Sequence, residues 1–363
     1  MKNVKFFIAT LVVTVLFLCN FGCSSESATE PPAPREVVGE TQPAPVNKLQ
    51  RQDLIVYSSP EKYSYENFLH DMKLLCDAYP NQLQAVKLCD TADGRGVYDI
   101  ILGDPNGSNQ VLIFGAMHAR EYITVQVVMR QLCEAVEALN GGNFSYRGVP
   151  ATELLQGVTI HFVPNSNPDG VSISQFGLNG INDPTLRAQV AAMSNDLVQW
   201  KANARGVDLN RNFDADWNEF HGSPYPASER YKGTYPGSEP EAAALISLTQ
   251  NSHIKRVISY HTCGALIYWY FKQSGAVLDE SKKFASEISH ATGYYLDDDY
   301  TAVDAAGYKD WAVYKLGVPS ITIECGAENG DLVNPVPQSR FNGIWERNKN
   351  VVYATAYNLK FGS

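Results

Sequence analysis

Five apolar runs along the chain carry the strand pattern: Val97–Gly103, Val111–Met117, Val158–Val163, Val257–His261 and Ser320–Glu324. Each is nearly continuous rather than alternating, which fits strands covered on both faces. Helix-like stretches lie between and around them, at Ser64–Ala78, Ile123–Leu139, Pro240–Asn251 and Asp279–Ala291. The alternation of the two kinds predicts α/β layering. Ser238-Glu239-Pro240-Glu241 has the Ser-x-x-Glu spacing of a capping box, with Pro tolerated in the first turn, and marks the start of the third helix.

The beginning of the chain departs from this pattern. Lys2 and Lys5 flank the start of an apolar run, Phe6–Cys19, broken only by Thr10 and Thr14. That is signal-peptide length, short of the ~20 residues a spanning helix needs. Gly22-Cys23-Ser24 then resembles a bacterial lipoprotein cleavage site, although Asn20 stands where Leu is usual. Residues 1–22 are therefore expected to be a lipoprotein-type signal peptide. A lipid on Cys23 would hold the exported protein to a membrane surface, facing the periplasm or the cell exterior. Residues 23–53, rich in Ser, Glu, Pro, Ala and Gln, are expected to be a flexible Pro-rich tether. Residues 54–363 contain no second linker and no internal repeat and read as one domain.

Composition narrows the function classes. Of 363 residues, 44% are hydrophobic and 11% aromatic, enough for a sizeable core. The net charge of −10 repels a phosphate backbone, so nucleic acid is not an expected partner. Beyond Cys23 there are Cys76, Cys89, Cys133, Cys263 and Cys325, an odd set that cannot pair completely. They read as small buried hydrophobes, with a Cys76–Cys89 bridge open to an exported protein. A monomer is expected.

Candidate chemistry sits at strand ends, where α/β sheets place their sites. His118-Ala119-Arg120-Glu121 follows the second run, and its imidazole and carboxylate, three apart, can face one point. His261 ends the fourth run and supplies a third N/O donor. Catalytic zinc sites keep three protein ligands and an open position for water. Glu324 ends the fifth run. A carboxylate finishing an apolar strand is poorly solvated, and burial raises its pKa as suits a general base. Gly206-Val207-Asp208-Leu209-Asn210-Arg211-Asn212-Phe213 places an Arg between two Asn, and Arg211 can take a carboxylate bidentately.

In this order the four segments resemble the zinc metallocarboxypeptidase family. Asp93-Gly94-Arg95, Asn167-Pro168-Asp169-Gly170 and Asp310-Trp311 extend the likeness over residues 60 to 355. The resemblance implies a three-layer α/β/α sandwich with a mixed sheet. It implies one Zn2+ per chain on His118, Glu121 and His261, with Glu324 as general base. Asn210 and Arg211 would hold a free carboxylate of the substrate, Arg120 would lie along the substrate path, and Asp208 would orient His118. Lys201, in Trp200-Lys201-Ala202-Asn203, matches the Arg that stabilises the oxyanion in digestive members. A Lys serves there as a point charge rather than a fork. Digestive members also carry a mobile Tyr over the substrate, for which Tyr300 and Tyr308 are the nearby candidates.

Lys309 matches the base of the side-chain pocket, where a cation would favour a substrate side chain bearing a carboxylate. The segments around Trp200 and Tyr260-His261-Thr262-Cys263-Gly264 look like a bacterial branch that includes γ-D-glutamyl-diamino-acid peptidases. The expected substrate is therefore a peptidoglycan stem peptide, with ordinary peptide C-termini as the alternative. A non-catalytic peptide-binding lipoprotein would have no need of Glu324, and a related zinc deacylase is disfavoured by the Gly206–Phe213 match. No Gly-x-Ser-x-Gly and no His-Glu-x-x-His occurs in the chain.

Overall fold

The five apolar runs become the centre of an eight-stranded sheet. The computed structural model describes residues 49–297, 299 and 305–362. The signal peptide, Cys23, nearly all of the tether and Tyr300 lie outside the described residues. The strands are β1 (Leu83–Asp90), β2 (Gly96–Leu102), β3 (Gln110–Gly115), β4 (Ser145–Tyr146), β5 (Val149–Pro150), β6 (Thr159–Val163), β7 (Ile254–Gly264), β8 (Leu266–Tyr268), β9 (Tyr295–Leu296) and β10 (Ser320–Gly326). β4 and β5 form a small separate hairpin. The main sheet has the order β1-β2-β6-β3-β7-β10-β8-β9. β6, β3, β7 and β10 run parallel to one another, as do β8 and β9, while β1–β2, β2–β6 and β10–β8 are antiparallel. The sheet is mixed.

The helices are α1 (Tyr65–Ala78), α2 (Ile123–Leu139), α3 (Ala151–Leu155), α4 (Pro168–Phe176), α5 (Pro184–Met193), α6 (Pro240–Asn251), α7 (Gly275–Thr292), α8 (Tyr308–Lys315), α9 (Phe341–Asn348) and α10 (Val351–Phe361). The alternating side chains of β3 show how they are layered. Val111 and Ile113 pack into one buried cluster with residues of α1, α2, α7, α9 and α10. Leu112 and Phe114 pack into another with residues of α6 and α8. Successive strand residues point to opposite faces, so the sheet is covered on both sides and the fold is a three-layer α/β/α sandwich.

Local chemistry explains several boundaries. Ser64 caps α1, its Oγ accepting from the Asn67 N–H at 3.2 Å. The capping box expected at Ser238 does not form. Glu239 is the N-cap of α6 and makes no side-chain cap bond. The Ser238 hydroxyl is instead engaged by the Asn212 amide at 3.0 Å and faces the Glu239 carboxylate at 3.0 Å. β3 stops two residues before Met117 because Ala116 has φ 54°, which ends extended pairing. β1 escapes the apolar-run pattern because it is an edge strand with largely exposed or half-buried side chains. All five cysteines from Cys76 to Cys325 are free, so the Cys76–Cys89 bridge is absent. Among the described residues no helix is long and apolar enough to cross a membrane.

Candidate active site

The carboxyl ends of β3, β7 and β10 meet at one point. Gly115 ends β3, and a Cβ there would lie 3.1 Å from both the carbonyl oxygen and Oγ1 of Thr124. The Ala116 N–H donates to Thr124 Oγ1 at 2.8 Å, and that hydroxyl donates to the Glu121 carbonyl at 2.8 Å. This knot turns the 118–121 segment back toward the sheet. His261 and Glu324 are opposite one another in the β7–β10 register. Gly264 permits this, since a Cβ on it would sit 2.7 Å from the Glu324 Cβ.

His118, Glu121 and His261 are all buried. His118 Nδ1 lies 2.9 Å from Glu121 Oε1, and His261 Nδ1 lies 2.8 Å from Glu121 Oε2. The two Nδ1 atoms are 3.0 Å apart. Among the described residues this is the group of His, Cys, Asp and Glu donors able to hold a metal. His118 Nε2 faces Asp208 Oδ1 at 3.2 Å. That contact places the ring proton on Nε2 and leaves the Nδ1 lone pair for a cation. Burial first, and Lys201 next, hold the His118 pKa below its usual value, which keeps the ring neutral. Burial alone would raise Asp208, but His118 and Lys201 hold it well below the carboxylate range. Two imidazoles and one carboxylate converging in a buried pocket form the donor set of a catalytic zinc centre.

A cavity of about 390 Å³ opens in front of these ligands. Glu324 lines it and is pushed above the ordinary carboxylate range, first by burial and then by the Glu121 carboxylate, against the pull of His261, Lys201 and Arg120. Lys201, Arg120, Asn210, Arg211 and Lys309 line the same cavity. Asn210 Oδ1 accepts the Tyr308 N–H at 3.0 Å. The Arg211 guanidinium donates to the Asn210 carbonyl at 2.7 Å and lies 5.1 Å over the Phe220 ring. Lys309 reaches the cavity wall already engaged, with Nζ 2.8 Å from the Tyr270 carbonyl and 2.5 Å from Asp310 Oδ1. It offers an ion pair rather than a bare cation.

One expectation is corrected. Tyr308 is not a substrate-covering Tyr. Its side chain is fully buried, packed edge-on against Phe114 and Phe213, with its hydroxyl 2.6 Å from Thr249 Oγ1. The apolar surroundings of the α8 start draw the ring inward and leave only its backbone near the site. Sequence reasoning also missed Thr262, Gln199 and Asn334. The Thr262 N–H donates to Glu121 Oε2 at 3.2 Å. Gln199 Nε2 donates to the Asn334 carbonyl at 2.7 Å, and Asn334 Nδ2 donates to the Thr262 carbonyl at 2.9 Å. These contacts join residues far apart in the chain, so no local signal marks them.

The zinc carboxypeptidase family model (peptidase M14) matches residues 68–351. A γ-D-glutamyl-L-diamino acid endopeptidase of Lysinibacillus sphaericus is 32% identical over 317 residues, 85% of this chain and 76% of that protein. Human mast cell carboxypeptidase A is 22% identical over 75% of this chain and 66% of its own length. The solved structure of bovine thrombin-activatable fibrinolysis inhibitor, in complex with tick carboxypeptidase inhibitor, superposes with a TM-score of 0.67 at 20% identity. It covers 85% of this chain and all of the solved one. Carboxypeptidase A from Helicoverpa armigera superposes with a TM-score of 0.61 at 20% identity, over 82% of this chain and 74% of its own. The site geometry and the family match agree: this chain belongs to the zinc carboxypeptidase family and is a zinc-dependent metallopeptidase.

Proposed function

We propose that this enzyme hydrolyses the γ-D-glutamyl–diamino-acid bond of peptidoglycan stem peptides. The observation that carries the proposal is the 32% identity to the Lysinibacillus sphaericus endopeptidase across most of the domain. The cavity chemistry supports it. A diamino dicarboxylic acid ends its side chain in an ammonium and a carboxylate, and the Lys309–Asp310 pair presents one charge of each sign to such a head group.

In this reading His118, Glu121 and His261 would hold zinc, which would supply Lewis-acid chemistry at the scissile amide. Glu324 removes a proton from the attacking water and later delivers it to the departing amine nitrogen. Its raised affinity for protons suits both halves of that task. The Lys201 ammonium offsets the charge that develops on the carbonyl oxygen, and burial of the site strengthens that attraction. Asn210 and Arg211 orient the free carboxylate of the leaving residue. Asp208 keeps the His118 ring in the required tautomer.

The export reading belongs to the same proposal. A lipid on Cys23 and a tether over residues 23–53 would put the domain outside the cytoplasmic membrane, within reach of cell-wall peptides. Loss of the protein from the membrane fraction on Cys23→Ser is the expected result.

The decisive experiment incubates zinc-loaded protein with L-alanyl-γ-D-glutamyl-diaminopimelate and with ordinary peptides ending in Glu or Phe. Mass spectrometry reads the products, and Glu324→Gln serves as control. Release of diaminopimelate alone supports the proposal. Release of ordinary C-terminal residues instead would make the enzyme a general carboxypeptidase, the reading that the intact Asn210–Arg211 pair also accommodates.

A further inference from the structure

Four basic side chains line the cavity: Arg120, Lys201, Arg211 and Lys309. Three of them already have a task. Lys309 is held by Asp310. Arg211 stands with Asn210 for the terminal carboxylate, and Lys201 acts on the metal ligands and Glu324. Arg120 is the remainder. Its Nη1 makes a long contact to the Gln199 carbonyl at 3.3 Å. The Glu229 carboxylate stays 3.7 Å away on a side chain that is 46% exposed. The Arg120 Nε is buried and meets no acceptor among the described residues. A desolvated guanidinium edge without an acceptor is costly, and a carboxylate is the ligand whose geometry satisfies it.

Arg120 belongs to a different wall from Asn210 and Arg211. The Tyr308 N–H ties Asn210 to the start of α8, and Lys309 and Asp310 follow directly. Arg120 is tied instead to Gln199, which reaches Asn334 and through it Thr262 beside the metal ligands. Two anion-seeking groups on two walls of one cavity call for a substrate with carboxylates at two places. In the reading above, Asn210 and Arg211 take the terminal carboxylate of the leaving residue, and the Lys309–Asp310 pair faces its side-chain head group. The acyl side of the scissile amide is the part of the substrate left for Arg120.

We infer that Arg120 binds the free α-carboxylate of a γ-linked glutamyl residue on the acyl side, and thereby distinguishes that linkage from an α-peptide bond. The inference rests on the peptidoglycan reading above. In a γ-linked glutamyl residue the side chain carries the scissile carbonyl, and the α-carboxylate remains ionised a few bonds away. In an α-linked peptide the main chain offers only a neutral amide on that side, and a carboxylate is present only when the residue is Asp or Glu. Arg120 therefore meets a main-chain carboxylate only with the γ linkage.

The test compares L-alanyl-γ-D-glutamyl-diaminopimelate with the same peptide amidated only at the glutamyl α-carboxylate, which keeps the shape and removes the charge. Amidation is expected to lower kcat/KM by a factor of about 10 to about 100, the range of a charged hydrogen bond. In Arg120→Gln the acid-to-amide ratio should shrink towards one. Calorimetric titration of the Glu324→Gln protein with both peptides reads the same preference without turnover. Equal cleavage of acid and amide by the parent enzyme overturns the inference and leaves the peptidoglycan reading standing. So does a ratio that survives unchanged in Arg120→Gln, which would assign the preference to another residue. Cleavage of neither peptide, while ordinary C-termini are removed, overturns the peptidoglycan reading and this inference with it.

Discussion

The backbone N–H of Tyr308 donates to Oδ1 of Asn210 at 3.0 Å, joining residues 98 positions apart. That bond fixes which way the Asn210 amide faces and leaves Nδ2 as its remaining donor. Asn210→Asp keeps an acceptor for the Tyr308 N–H but replaces Nδ2 with a second oxygen, which would repel a substrate carboxylate held there as proposed. KM should rise by at least about 10-fold, with a smaller change in kcat. Steady-state kinetics on a substrate with a free terminal carboxylate reads the split.

The Tyr308 hydroxyl serves the core. Tyr308→Phe leaves Thr249 Oγ1 without its 2.6 Å partner in a buried setting. The variant should lose about 1 kcal/mol of stability in urea unfolding. Its kcat/KM should stay within about two-fold of the parent, because the Tyr308 amide still holds Asn210. A large kcat loss at unchanged stability would return the ring to the substrate.

Asp208 Oδ1 lies 3.2 Å from His118 Nε2, the contact that would orient this zinc ligand. Asp208→Asn should weaken zinc affinity by about 10- to about 100-fold, measured by competition with a chromophoric chelator. Chelation of the parent should abolish activity and lower the thermal midpoint, and added zinc should restore both, because the assembled ligand set of the folded state binds zinc more tightly than the unfolded chain.

Removing the proposed base isolates its contribution. Glu324→Gln keeps the shape of the side chain and the zinc ligands but cannot take a proton. A kcat loss of about 10²- to about 10⁴-fold is expected, with one zinc per chain retained by elemental analysis. Loss of metal in this variant would mean that Glu324 holds the site together rather than moving a proton.

Glu241 gives the fold a pH dependence away from the chemistry. It is fully buried near the start of α6, its Oε1 meets no hydrogen-bond partner among the described residues, and Asn203 Nδ2 is 3.5 Å from its Oε2. Burial first, then Asp169 and Glu239, push its pKa up to about 8 from an ordinary 4.5. The folded state therefore holds a proton that the unfolded chain has released. Stability from this group is complete below about pH 4.5 and is lost as pH rises to about 8. Glu241→Gln should remove that slope and exceed the parent at pH 9 by more than about 1 kcal/mol in urea unfolding.

Much of the site was legible before the fold. His118 and Glu121 are three residues apart, and the apolar runs before His261 and Glu324 place both at strand ends, so spacing and hydropathy were enough to nominate them. The central strands were legible for the same reason. Burial on both faces demands continuous apolar side chains, whereas β1 at the sheet edge meets no such demand. Tyr308 could not be placed from the sequence, because an aromatic residue beside an active-site segment suits a core and a cavity equally well.

The sequence by itself determined the donor set and the sandwich architecture, and it nominated Glu324 as base and Asn210 with Arg211 as the carboxylate-binding pair. These depend on residue type, short spacing and the order of segments. Only the tertiary structure decided that Lys309 arrives neutralised by Asp310, that Tyr308 turns inward, and that the Arg120 Nε is left without an acceptor. A side chain's available charge and its direction depend on what packs against it. Phe114, Phe213 and Thr249 reach Tyr308 from distant parts of the chain. Even for adjacent residues such as Lys309 and Asp310, adjacency alone does not say whether the two side chains turn to each other.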